Sequence, residues 1–124
     1  MKKLILIFTL LFSTVMFSSP SYSEWTKVIE NSMGTYHVDF ERIQKYDGFV
    51  YYWELVDLLK PFEGVLSYKI YRHGDCKLLR HKILSFSYHK EPMGGGTGKT
   101  ATPKIPEWES GGINEVLLKQ VCSR

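Results

Sequence analysis

FVYYWELVDL, residues 49–58, carries the period of two that marks a β-strand. Phe49, Tyr51, Trp53 and Leu55 fall on one face, and Val50, Tyr52 and Val56 on the other. A strand apolar on both sides belongs in the middle of a sheet, covered from two directions. That demand leaves room for a homodimer or for a curled sheet.

Working outward, KPFEG reads as a loop and VLSYKIYRHGDCKLLRHKILSFSYH (residues 65–89) as a hairpin. Gly74-Asp75 is a two-residue turn signal. A turn there pairs His73 with Cys76, Ile70 with Leu79 and Tyr68 with His81. Leu66, Tyr68, Ile70, Leu79 and Ile83 then form a core-like face. The opposite face carries Lys69, Tyr71, Cys76, Leu78, Arg80 and Lys82, with Lys69 against Arg80, a like-charge pair that costs stability unless solvated. A bulge at Gly74 would exchange the faces. Upstream, WTKVIE and TYHVDF are short strands separated by the turn-prone NSMG, and DFERIQKYDG reads as a helical turn or connector. Downstream, INEVLLKQVC follows Ser110 or Gly111 without a breaker. Ile113, Val116, Leu117, Val121 and Cys122 lie in one stripe at helical spacing. Strands first and one helix last define an α+β domain, a single antiparallel sheet of about five to six strands with a C-terminal helix.

The N-terminus has the layout of an export signal: Lys2 and Lys3, an apolar run from Leu4 to Phe17, then small residues. The run is shorter than the ~20 residues needed to span a bilayer. Cleavage between Ser23 and Glu24 is expected, leaving one domain over residues 24–124 and no membrane span. Loss of two of the 16 basic residues brings the chain close to balance with its 13 acidic ones. Such a balance gives no warrant for nucleic acid or an anionic membrane as partner. Two cysteines in an exported chain, Cys76 and Cys122, read as a disulfide, with free buried thiols or a metal site as the alternatives. A bridge between them would pin the last turn of the helix to the sheet.

EPMGGGTGKTATPK (residues 91–104) resembles a phosphate loop only in part. Met93 stands where that motif requires its first glycine. Pro103 and Pro106 then block the helix whose amides would hold the phosphates. No nucleotide is expected; the segment reads as a mobile loop of about 20 residues, with Trp108 anchoring its far end. The histidines His37, His73, His81 and His89 are scattered, and Glu54 and Asp57 lie on different strand faces, so neither a metal site nor a paired acid/base is assigned. No cofactor is assigned. A small periplasmic enzyme and a haem- or metal-binding protein remain as alternatives to a binding domain.

Aromatic residues make up 15% of the chain. Tyr51, Tyr52 and Trp53 are expected in a core, while Tyr71 and Tyr88 are candidates for the surface. Tyrosine beside Lys69, Arg72, Arg80 and Lys82 suits a contact with protein or glycan. An export signal, YHVDFERI with DGFVYYWELVD, SYKIYRHGDCKLLR, PMGGG, PEWES and a terminal EVLLKQVC occur in this order. Together they resemble the bacterial surface-adhesin protein E-like domain family over nearly all of residues 24–124. The resemblance implies an antiparallel sheet with a C-terminal helix held by the Cys76–Cys122 bridge, no enzymatic activity, and adhesion to host matrix and serum proteins, with haem binding as a further property. No cysteine lies near the expected cleavage point, so the chain is expected to be periplasmic or secreted rather than lipid-anchored. Lys69, Tyr71, Arg72, Arg80 and Lys82 are the expected contact residues for a protein ligand.

Overall fold

The computed structural model describes residues 24–124. The export signal expected over residues 1–23 lies outside the described residues. The strands are β1 (Thr26–Glu30), β2 (Gly34–Val38), β3 (Gln44–Tyr46), β4 (Phe49–Phe62), β5 (Val65–Asp75), β6 (Arg80–His89), β7 (Lys99–Ala101) and β8 (Glu109–Ser110), followed by one helix, α1 (Gly112–Cys122). All pairings are antiparallel, in the order β1-β2-β4-β5-β6-β7, with β3 added to β4 and β8 to β6. The fold class is the one the sequence implies, but the sheet has eight strands instead of five or six. The extra ones are short: β3, β7 and β8 lie in segments read as connectors.

β4 occupies the central position expected of FVYYWELVDL and runs on through KPF to Phe62. The turn beyond it is Glu63-Gly64, with φ of 50° and 79°. Two positive φ angles make the tight hairpin turn whose twist matches the flanking strands, so KPFEG is mostly strand. The β5–β6 turn also moves. Gly74-Asp75 stay in β5, Asp75 pairs with Arg80, and the loop is Cys76–Leu79. The Asp75 carboxylate accepts from the Lys77 and Leu78 amides at 3.0 and 3.2 Å, holding the turn three residues later than the glycine suggests. Lys69 faces Ser87 rather than Arg80, and the feared like-charge pair does not form.

Gly74 has a different task. A Cβ there would collide with Leu118 and lie 2.9 Å from Val50 Cγ2. The residue is small because α1 crosses the sheet at this point. Val38, Val50 and Tyr52 of the sheet and Leu117, Leu118 and Val121 of α1 form the core. Full burial of each such aliphatic side chain stabilises by about 1.5–3 kcal/mol. The buried stripe is turned slightly from the expected one, with Leu118 inward and Val116 40% exposed. Cys76 and Cys122 are bonded, joining the end of α1 to the β5–β6 turn. Across a separation of 46 residues the bridge stabilises by about 4 kcal/mol on the chain-entropy account.

The glycine-rich segment is not a free loop. Ser67 Oγ donates to the Glu91 carbonyl and accepts from the Gly94 amide, and the Met93 amide donates to Asp57 Oδ1 at 2.7 Å. Lys99-Thr100-Ala101 then pairs with β6 as β7. Gly98 lies against the His89 ring, where a Cβ would come within 2.7 Å of Nε2. The GKT sequence serves sheet packing.

Candidate binding face

α1 covers one side of the sheet around Val50 and Tyr52. Alternation along β4 sends Phe49, Tyr51 and Trp53 to the other side, and β5 adds Tyr71 and His73 there through the pairs Trp53↔Tyr71 and Tyr51↔His73. The rings form a continuous array. Trp53 and Tyr71 lie 4.9 Å apart, Tyr51 and His73 stack at 4.4 Å with planes 5° apart, and Phe49 and His73 lie at 5.2 Å. Trp108, from the segment before β8, joins at 5.3 Å from His73. The Trp53–Tyr71 contact adds about 0.5–1.5 kcal/mol beyond burial. All these rings remain partly exposed.

Cations frame the array. Arg80 and Lys82 sit over the Trp108 ring at 4.3 and 4.5 Å, and Arg42 lies 5.4 Å from Trp53. Arg80 also donates to Asp75 Oδ2 at 3.2 Å. Burial pushes the Asp75 carboxyl up, but amide donation from Leu78 and Lys77 and the Arg80 guanidinium outweigh it and hold the group below its ordinary value. His73 is lowered, first by burial and then by Lys82, against Asp75, so it is neutral at pH 7.

Four of the expected contact residues share this face: Lys69 and Tyr71 on β5, Arg80 and Lys82 on β6. The turn moved, but by an even offset, which leaves the strand faces as read. Arg72 is elsewhere. It is 3% exposed on the helix side, donating to Glu54 Oε2 at 2.7 Å and to His81 Nδ1 at 3.0 Å. Arginine only donates, so His81 Nδ1 accepts and the proton of the neutral ring sits on Nε2. Burial raises the Glu54 pKa against the opposing charge and hydrogen bond of Arg72, and burial, then Arg72, lowers His81. Glu54 Oε1, His81 Nε2 and Tyr52 Oη are buried without a partner.

Tyr51, Trp53, His73 and Trp108 were not among the expected contact residues. Tyr51 and Trp53 alternate with Tyr52, which is core, and that alternation was the available signal. The bulge between the Tyr71↔Ser85 and Arg72↔Ile83 pairs had none. It inserts Leu84, so His81 and His89, which strict alternation would put on one face, lie on opposite faces. Among the described residues, no three His, Cys, Asp or Glu side chains are grouped to hold a metal ion. No helix there is long and apolar enough to cross a membrane.

The architecture is an antiparallel sheet with a terminal helix bridged to one side and an aromatic, cation-framed surface on the other. The chain belongs to the surface-adhesin protein E family, whose model matches residues 25–123. It is similar in fold to crystal form II of Haemophilus influenzae protein E, at 18% identity and a TM-score of 0.61, covering 85% of this chain and 91% of that one. It is similar also to protein E from non-typeable Haemophilus influenzae, at 18% identity and a TM-score of 0.58, covering 85% and 79%. No curated protein sequence matches the chain.

Proposed function

We infer that this is an extracytoplasmic, non-enzymatic domain that binds protein ligands, in the manner of a surface adhesin, through the sheet face opposite α1. Family membership supports adhesion. The observation that carries the choice of face is the array of half-exposed rings framed by Arg80 and Lys82. Aromatic residues and arginine are the side chains that contribute most at protein interfaces. A groove of about 330 Å³ at the β4–β5 tip is lined mostly by Met33, Leu58, Leu59, Pro61 and Phe62, with Ser32 and Lys60 at its side. The role of the face is tested by passing residues 24–124, disulfide intact, over immobilised matrix and serum proteins. Saturable binding of at least one of them, reduced by Lys69→Glu with Arg80→Glu, supports the reading. Binding that the double charge reversal leaves unchanged removes this face as the contact surface.

A further inference from the structure

The face has a chemistry that narrows what it takes. Its rings stand on the sheet and pack against each other, and the Tyr51–His73 and Tyr51–Tyr71 pairs are stacked with planes 5° and 27° apart. Cations lie over ring faces as well, Arg42 over Trp53 and Arg80 and Lys82 over Trp108. A sugar stacking here would compete with these contacts for the ring faces. Ring edges carry the positive end of the aromatic quadrupole, and cations stand beside them over Trp108. Lys82 lies over Trp108, and no acidic partner for it is seen among the described residues. Lys69 lies along Gly94, its stem in contact with the turn. Edges and cations both favour carboxylates.

The positive charge is not continuous. Asp75 and Asp57 share the face with Lys69, Arg80 and Lys82, and Asp57 is spent on the Met93 amide. A dense polyanion would meet these carboxylates and be repelled. A chain with separated carboxylates would not. Along β4, successive rings on this face are two residues apart, roughly 6.6–6.8 Å at the usual strand rise, the same repeat as alternate side chains of an extended peptide.

We propose that the face opposite α1 binds an extended, acidic polypeptide segment of a partner protein, its carboxylates set against Lys69, Arg80 and Lys82 and the ring edges between them. The proposal rests on the functional reading above and specifies the partner's chemistry.

The experiment uses ¹⁵N-labelled residues 24–124 with the disulfide intact. The probes are a decapeptide of alternating Glu and Tyr, its Gln/Tyr counterpart, and a heparin decasaccharide. Two tryptophans report directly, because Trp53 and Trp108 lie on the face. The Glu/Tyr peptide is expected to shift the indole signals of Trp53 and Trp108. Lys82→Glu should weaken that binding at least tenfold, and the Gln/Tyr peptide should bind at least tenfold less well than the Glu/Tyr peptide. Lys82→Gln, expected to weaken binding less than the reversal, guards against misfolding, and an unchanged amide spectrum elsewhere confirms both folds. No shift with millimolar Glu/Tyr peptide overturns the proposal. So does tighter binding of heparin on the same residues, which would make the face a polyanion site. If matrix or serum proteins are captured through the face while the Glu/Tyr peptide is not, the adhesin reading stands and this proposal fails alone.

Discussion

Gly74 shows how a residue can be read correctly as special and wrongly as to why. Its sequence neighbour Asp75 made a turn the economical reading, yet the missing Cβ makes room for Leu118. Gly74→Ala is expected to destabilise by about 1–3 kcal/mol through overpacking, without altering the β5–β6 turn. Urea denaturation measures the loss, and an unchanged midpoint would show that α1 does not press on this site. Arg72 is the second such residue. Its charge placed it on the surface in the sequence reading, and the structure buries it beside Glu54. Arg72→Met leaves the Glu54 carboxylate buried and unpaired, a loss of about 3–5 kcal/mol, whereas adding Glu54→Leu should recover most of it. Equal stability of single and double variants would contradict the pairing. The charge pattern of a single sequence does not tell a solvated arginine from a paired one, because the partner is 18 residues away.

Among the elements, those with long periodic runs were legible. β4 and α1 emerged from periods of two and of about 3.6, with only their ends and one helix position shifted. β3, β7 and β8 were not, because strands of two or three residues are fixed by what they pair with rather than by their own pattern. The glycine-rich segment looked mobile for the same reason: its order comes from Ser67, Asp57 and the edge of β6. Its composition carries no trace of those partners. α1 depends on the sheet through a small core and one covalent link. Replacing Cys76 and Cys122 by serine is expected to cost up to about 4 kcal/mol. A drop in thermal midpoint with loss of helical circular dichroism checks this, and an unaffected melting curve would mean the core alone retains the helix.

At the scale of the whole molecule, the sheet separates two environments, a helix-covered side that holds it together and an aromatic, cation-framed side available for contact. His37, His73, His81 and His89 all have pKa values lowered, chiefly by burial. Their neutral forms are favoured in the fold, so unfolding between their folded pKa values and the ordinary 6.5 takes up protons. Stability should therefore be fully present above about pH 6.5 and decline as pH falls below it. The raised Glu54 has the opposite sign, favouring the fold at acid pH and losing that contribution as pH rises through its folded value. Urea midpoints taken from pH 8 down to pH 5 measure the balance; a midpoint that rises on acidification through pH 6 would show that Glu54 outweighs the histidines.

The division of labour between the two sides is the central claim, and one comparison tests it directly. Surface plasmon resonance against whichever matrix or serum protein binds most tightly would be run with Tyr71→Ala/Lys82→Glu on the open face and Val116→Glu on exposed α1. The account expects at least a tenfold loss of affinity for the first and little change for the second. The reverse order, with α1 sensitive and the ring face indifferent, would contradict it.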